Sequence, residues 1–92
     1  MATRDPKQHP KRAANPSARC PKVKNRELQA MVEAAWHAGW WCELTADGHA
    51  KCYSPPGQGS ERGKIVLVAN TPSDRRTIPN TRSTFRRAGL QL

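Results

Sequence analysis

The feature that most constrains the fold is the pair Asp47-Gly48 within the stretch WWCELTADGHAKCY, where strand-like segments lie on both sides. Such a pair predicts a β-hairpin. A two-residue loop would pair Ala46 with His49, whereas a three-residue loop with Gly48 in the left-handed region would pair Thr45 with His49. We favour the three-residue loop because it aligns chemically matched cross-strand neighbours. These are Trp41 with Tyr53, Cys42 with Cys52, Glu43 with Lys51 and Leu44 with Ala50.

This register also predicts which hairpin side chains are buried, because successive side chains along a strand point to opposite faces. The predicted core face holds Trp40, Cys42, Leu44, Ala50 and Cys52. The predicted solvent face holds Trp41, Glu43, His49, Lys51 and Tyr53. The second face would present an imidazole, an ammonium group and two aromatic rings to solvent.

A helix is predicted ahead of the hairpin. Asn25 can cap it, and Glu27 in its first turn is favourable to the helix dipole. Its apolar residues follow the spacing of one helix face, namely Leu28, Met31, Val32, Ala35 and Trp36. Gly39 predicts where this helix ends.

Residues 64–69 (KIVLVA) predict a third strand that is apolar on both faces. Either both faces are covered, or one is an interface with a partner, since exposed apolar patches mark binding sites. A third alternative is that the loop of residues 54–63 covers the strand.

The C-terminal segment predicts two helical pieces. Residues 71–74 (TPSD) combine a capping threonine, a proline at the first helical position and an acidic residue in the first turn. Pro79 predicts a break, and a second helical segment follows over residues 79–88. Ile78 and Phe85 are its predicted core contacts.

The order helix, strand, strand, strand, helix predicts an α+β fold of two layers. The expected arrangement is α-β-β-β-α, with a three-stranded antiparallel sheet and both helices on one face. Double-stranded-RNA-binding domains use this architecture to recognise A-form shape and phosphates. The folded domain is predicted over residues 25–92. Residues 1–24, which are basic and contain four prolines, predict a disordered arm that either grips phosphates or has no specific role.

Positive charge is concentrated at the two ends of this 92-residue chain, whose net charge is +9. Residues 1–26 carry eight Lys/Arg and one Asp, and residues 70–92 carry five Arg and one Asp. Residues 27–69 carry three basic and five acidic side chains. This pattern favours a polyanionic partner such as RNA, although a solvated helix surface would look the same. The predicted RNA-binding residues are Lys22, Lys24, Arg75, Arg76, Arg82, Arg86 and Arg87.

Composition also bears on the compartment and on metal binding. The odd number of cysteines and the lack of an apolar signal-peptide segment predict a cytoplasmic protein, in a bacterial cell or a phage-infected host. Cys42 and Cys52 are expected to be buried thiols, although they could form a bridge if oxidised. No metal site and no cofactor are expected, because no close Cys-x-x-Cys pair is present. No segment is apolar enough to span a membrane.

Six further features occur in a characteristic order: the helix ending in Gly39-Trp40, the turn exit Gly48-His49, Tyr53 with Pro55, the apolar third strand, the TPSDRR stretch and the closing FRRAGL. With these features the chain resembles the HicA toxins over about residues 27–91, in a branch found in actinobacteria and their phages. The resemblance implies an RNA-cleaving toxin with one histidine on the sheet and a HicB-like antitoxin that covers the active face. By ungapped count, the histidine position of the family falls on Ala50, one residue after His49.

The chemistry that this resemblance implies is metal-independent attack of a ribose 2′-OH on its own phosphate. His49 would be the general acid/base, Lys51 would neutralise the developing charge, and Tyr53 would stack a base or donate a proton. Two alternatives stay open. One is a nucleic-acid-binding module that does not cleave. The other is a phage effector that binds a host protein through Trp41, Tyr53 or the strand of residues 65–68.

Overall fold

The computed structural model describes residues 9–55, 64–72 and 74–92. The elements in chain order are α1 (Pro10–Ala14), α2 (Arg26–His37), β1 (Trp41–Leu44), β2 (Ala50–Tyr53), β3 (Ile65–Val68) and α3 (Thr77–Arg87). The strands form one antiparallel sheet in the order β1-β2-β3. Residues of α2 and α3 share one buried core with one face of this sheet. The predicted α+β architecture is therefore confirmed.

The hairpin has the register that a three-residue loop predicts. Trp41 lies opposite Tyr53, and Glu43 lies opposite Lys51. The Thr45 N–H donates to the His49 carbonyl at 2.8 Å, and Gly48 has a φ of +85°. Because glycine lacks a Cβ, it adopts this left-handed conformation without strain.

Helix α2 begins and ends as its sequence predicts. The Leu28 N–H donates to the Asn25 side-chain oxygen at 2.9 Å, which satisfies one of the free amides of the first turn. All five predicted stripe residues are buried. After the last helical residue, Gly39 takes a φ of +94°, and Trp40 enters the core at 2% exposure.

Of the predicted core face of the hairpin, Leu44 is the exception, since it is 51% exposed while the others are buried. The path of α2 explains the difference. The Asn25 N–H donates to the Asn70 carbonyl at 3.1 Å, so α2 begins beside the end of β3. The helix ends at His37, shortly before β1 begins at Trp41. Leu44, at the other end of this edge strand, lies outside the buried core.

The C-terminal helix differs from the prediction. A single helix, α3, runs from Thr77 to Arg87, and it contains Pro79 instead of breaking there. A helix starting near Thr71 would place Pro79 in its interior, where the ring clashes and a hydrogen bond is lost. A start at Thr77 places Pro79 in the first turn, where backbone N–H groups have no intrahelical partner. The predicted core contacts are correct, since Phe85 is fully buried and Ile78 packs against the core.

Residues 9–24 also differ from the expected disordered arm, because the structure places them against the domain. Val23 is 8% exposed and belongs to the core. Gln29 of α2 holds this segment with two hydrogen bonds, accepting from the Val23 N–H at 2.7 Å and donating to the Pro21 carbonyl at 3.3 Å.

The five-residue helix α1 begins at one proline of the segment and ends before the next one. Pro10 occupies the first turn, and the helix ends before Pro16, so neither ring interrupts it. The Arg12 guanidinium lies 4.1 Å from the centre of the Trp36 ring, a cation–π contact that fixes α1 beside the end of α2. Residues 9–24 are therefore part of the folded domain, and the domain does not begin at residue 25 as expected.

Strand β3 buries one side only. Val66 and Val68 are 1% and 0% exposed, whereas Ile65 and Leu67 are 52% and 64% exposed. The alternative in which described residues cover both faces of this strand is therefore wrong. The alternative in which the loop covers the strand concerns residues 56–63, which lie outside the described residues.

Candidate nucleic-acid interface

The side of the sheet away from α2 and α3 is the candidate interface, and we call it the open face. Its residues are Trp41, Glu43, Lys51, Tyr53, Ile65 and Leu67, which alternate with the buried residues of the three strands. The antiparallel register places Trp41, Tyr53 and Ile65 in one row across the sheet. A second row holds Glu43, Lys51 and Leu67. The open face thus combines aromatic, aliphatic and charged side chains.

Four side chains converge at one end of the open face, and we call them the tyrosine cluster: His9, Lys11, Lys51 and Tyr53. The Lys51 and Lys11 Nζ atoms lie 5.4 Å and 6.0 Å from the centre of the Tyr53 ring. The His9 ring centre lies 6.0 Å from the same point, with the two rings tilted by 55°. Cations are attracted to the face of an aromatic ring. The cluster therefore gathers positive charge around one partly exposed ring.

Neither lysine of the tyrosine cluster forms an ion pair within the described residues. Glu43 is the cross-strand neighbour of Lys51, but its Oε1 accepts a hydrogen bond from Trp41 Nε1–H at 2.7 Å. Lys51 instead extends toward Tyr53. The two ammonium groups are thus available to an anion that approaches the Tyr53 ring.

His9 is a functional candidate that sequence reasoning missed. Its backbone N–H donates to the Gly39 carbonyl at 2.8 Å. Its ring Nδ1 accepts from the Lys11 backbone N–H at 3.0 Å, and this bond caps α1. Burial and the nearby Lys11 lower the pKa of His9, so the neutral form is favoured at pH 7. The neutral ring carries its proton on Nε2 because Nδ1 is an acceptor. The proline directly after His9 could have predicted the start of α1. No local sequence signal predicts that His9 contacts Tyr53.

His49 lies at the other end of β2, where the hairpin turn meets the end of β3. Its Nδ1 accepts a hydrogen bond from the Asn70 N–H at 3.2 Å. Neutral His49 therefore carries its proton on Nε2 and offers a donor there. To act as a base through Nε2, the ring would need the other tautomer, whose Nδ1–H cannot accept from Asn70.

The three predicted catalytic residues are not brought together at one point. His49 directly precedes β2 and Tyr53 ends it, four residues later, which is roughly 13 Å at about 3.3 Å per residue. Lys51 lies between them, and its ammonium group is directed to Tyr53. A single phosphate can therefore contact Lys51 and Tyr53 together, or it can contact His49. It cannot contact Tyr53 and His49 at the same time.

The position that the family resemblance assigns by ungapped count is Ala50, and this residue is fully buried. It lies on the core face opposite Leu44 and Val68. A side chain there points toward α2 and α3, away from the open face. The neighbouring residue, His49, is exposed.

The predicted RNA-binding residues fall in two other regions. Arg82, Arg86 and Arg87 are exposed on α3, in the helix layer behind the sheet. The Arg86 guanidinium donates to the Leu92 carbonyl at 3.2 Å.

The remaining predicted residues, Lys22, Lys24, Arg75 and Arg76, are exposed in the segments that precede α2 and α3. The Lys24 N–H donates to the Asn70 side-chain oxygen at 2.8 Å, which places Lys24 near the His49 end of the sheet. No single surface holds all the predicted basic residues.

The cysteines have structural positions. Cys42 and Cys52 are free, buried and opposite each other on the core face. The hydrogen bond to Cys52, together with burial, raises the pKa of the Cys42 thiol. Burial also raises the pKa of Cys20 to about 11, so the unreactive thiol form prevails at pH 7.

Residues 9–55, 64–72 and 74–92 contain no group of three or more His, Cys, Asp or Glu placed to hold a metal ion. Among the same residues, no helix has the length and apolar character needed to cross a membrane.

No match to this chain was found among protein-family models, curated proteins or solved structures. The resemblance to HicA toxins, with its HicB-like antitoxin, therefore stays a prediction.

Proposed function

We propose that this protein binds RNA, in single-stranded form, on the open face of its sheet. The observation that carries the proposal is the tyrosine cluster, where two lysines without ion-pair partners flank a partly exposed aromatic ring. Single-stranded nucleic acid is bound by such a combination, because bases stack on the ring while cations contact phosphates. Bases in a duplex are already stacked, so a ring on a sheet favours unpaired RNA.

Other features of the open face support the same proposal. Trp41 lies beside Tyr53 in the same row, and Ile65 continues that row with an exposed aliphatic side chain. Both His9 and His49 offer an Nε2–H donor in their neutral forms, as their Nδ1 atoms accept backbone hydrogen bonds. Such donors suit phosphate or base acceptors, and they favour binding over proton abstraction.

A comparison of two charge deletions tests which surface binds. Lys51→Gln and Arg87→Gln each remove one positive charge, the first from the open face and the second from the helix layer. We expect Lys51→Gln to weaken binding of a fluorescent single-stranded RNA severalfold and to reduce the slope of log K against log salt by about 0.7. Arg87→Gln should change the slope much less. Fluorescence anisotropy across a salt series measures both quantities.

Equal losses in the two variants would contradict the proposal and indicate diffuse binding of a polyanion. A larger loss in Arg87→Gln would move the interface to the helix layer. Tighter binding of a duplex than of a single strand would also exclude stacking on the open face as the main interaction.

A second candidate function is RNA cleavage at His49, and the exposed Nε2–H of this residue favours it. In that role the imidazole would donate a hydrogen bond to a phosphate oxygen as charge develops on it. We expect induced wild-type protein to arrest bacterial growth and fragment RNA if cleavage occurs, and His49→Ala to do neither. His9→Ala serves as the comparison, because it removes the other Nε2–H donor. Intact RNA with the wild-type protein would leave binding as the function.

A further inference from the structure

A cavity of about 420 Å³ lies between the hairpin turn, the end of β3 and the first turns of α3. We call it the turn cavity. Its lining includes Thr45, Asp47, His49, Leu67, Ala69 and Asn80. The volume is within the range of small-ligand sites, which is roughly 300–1,000 Å³. The cavity adjoins the open face through Leu67, which belongs to both.

The charge of the turn cavity excludes a phosphate as its main ligand. No lysine or arginine lines it, and the Asp47 carboxylate does. An anion placed there would be repelled by Asp47 and would find no cation in the lining. An uncharged group with polar edges fits this lining better.

The polar groups of the turn cavity offer both donors and acceptors. His49 offers an Nε2–H, because its Nδ1 accepts from the Asn70 N–H. Asp47 offers a carboxylate, which only accepts hydrogen bonds. The exposed Asn80 side chain offers one donor group and one acceptor group. Neither side-chain group forms a hydrogen bond within the described residues.

Thr45 supplies an independent observation at the same wall. Its side-chain hydroxyl is buried and has no hydrogen-bond partner within the described part of the chain. A buried hydroxyl in this state is unfavourable, and rotation about χ1 can turn it toward a ligand. A polar ligand in the turn cavity would supply the missing partner.

We propose that the turn cavity binds one guanine base of an RNA strand held on the open face, an inference that rests on the proposed RNA binding. Guanine presents two adjacent N–H donors that match the Asp47 carboxylate. Its O6 and N7 acceptors match the donors of His49 and Asn80. The aliphatic side chains of Leu67 and Ala69, which lie on the same side of the chain, would contact one face of the ring.

The experiment compares a uridine decamer with decamers that carry one central guanosine, adenosine or cytidine. One guanosine is expected to tighten binding to the wild-type protein about tenfold, as a bidentate contact does. Asp47→Asn removes the charged acceptor but keeps a residue suited to the turn. We expect this variant to lose the guanosine preference. Its affinity for the uridine decamer should not fall, because the variant is more positively charged.

The matched control is Glu33→Gln, which changes the net charge by the same amount on the exposed surface of α2. It should retain the full guanosine preference. Absence of a guanosine preference in the wild-type protein, or its persistence in Asp47→Asn, would overturn the proposal while leaving RNA binding intact.

A titration with free guanosine separates this proposal from the proposed function. We expect guanosine, but not uridine, to shift the NMR signals of the His49 ring. If no decamer binds and guanosine still shifts His49, the cavity site stands and RNA binding on the open face fails. If neither ligand acts, both proposals are wrong.

Discussion

Replacing Tyr53 with alanine is expected to weaken the binding of single-stranded RNA by about one to two orders of magnitude. Stacking of one base on an aromatic ring is worth about 1–3 kcal/mol, and each 1.4 kcal/mol is a tenfold change in affinity. The Tyr53 ring also positions Lys51 and Lys11, whose ammonium groups lie 5.4 Å and 6.0 Å from its centre. Its removal thus affects both stacking and phosphate contacts. Fluorescence anisotropy with a short unstructured RNA measures the effect.

Tyr53→Phe is the matched control, because it keeps the ring and removes only the hydroxyl. We expect near wild-type affinity in this variant. An equal loss in Tyr53→Phe would show that the hydroxyl acts directly, as a proton donor would. Unchanged binding in Tyr53→Ala would contradict the proposal that a base stacks on this ring. Circular dichroism of both variants establishes that the domain is still folded.

The largest effect on stability is expected for Phe85→Ala, which should lower the free energy of unfolding by about 3–5 kcal/mol. Phe85 is 0% exposed, and its ring centre lies 5.5 Å from that of Trp40. It joins α3 to the core formed by α2 and the sheet. A domain of this size has a total stability of roughly 5–15 kcal/mol, so this substitution removes a large share of it.

Urea denaturation followed by tryptophan fluorescence measures the change. Ser83→Ala, on the exposed side of the same helix, should alter the midpoint very little. A loss below about 1 kcal/mol in Phe85→Ala would mean that α3 contributes little to the core, contrary to the burial of this ring.

The hairpin and α2 were predictable because their signals are local. The Asp47-Gly48 pair and the chemistry of cross-strand neighbours sufficed to set the register, including Cys42 opposite Cys52. Likewise, the apolar stripe and the Asn25 cap sufficed for α2. In each case the residues that determine the element lie within it or directly beside it.

The helical piece predicted to begin at residues 71–74 is wrong because two local signals compete, whereas the predicted segment 79–88 lies within two residues of α3. Residues 71–74 have the composition of a helix start, but a helix begun there would carry Pro79 in its interior. The observed helix begins at Thr77, where Pro79 falls in the first turn. The cost of an interior proline, about 3 kcal/mol, exceeds the typical gain of about 1 kcal/mol from a cap.

The tyrosine cluster could be predicted only in part. The alternation of β2 places Lys51 and Tyr53 on one face, as expected. His9 and Lys11 reach them through contacts between distant parts of the chain, such as the His9 N–H to the Gly39 carbonyl. Sequence spacing says nothing about such contacts. The tautomer of His49 likewise depends on Asn70, which lies 21 residues away in the chain.

The docking of α1 has a consequence for how folding and binding depend on each other. A helix of five residues is not stable alone, so α1 persists through its contacts with Trp36, Gly39 and Tyr53. The same docking brings the ammonium groups of Lys11 and Lys51 to 6.0 Å and 5.4 Å from the centre of one ring, and these two like charges repel each other. A bound phosphate would neutralise that repulsion and tighten the docked state. By thermodynamic linkage, the factor by which the phosphate favours the docking of α1 is also the factor by which phosphate affinity falls when α1 is released.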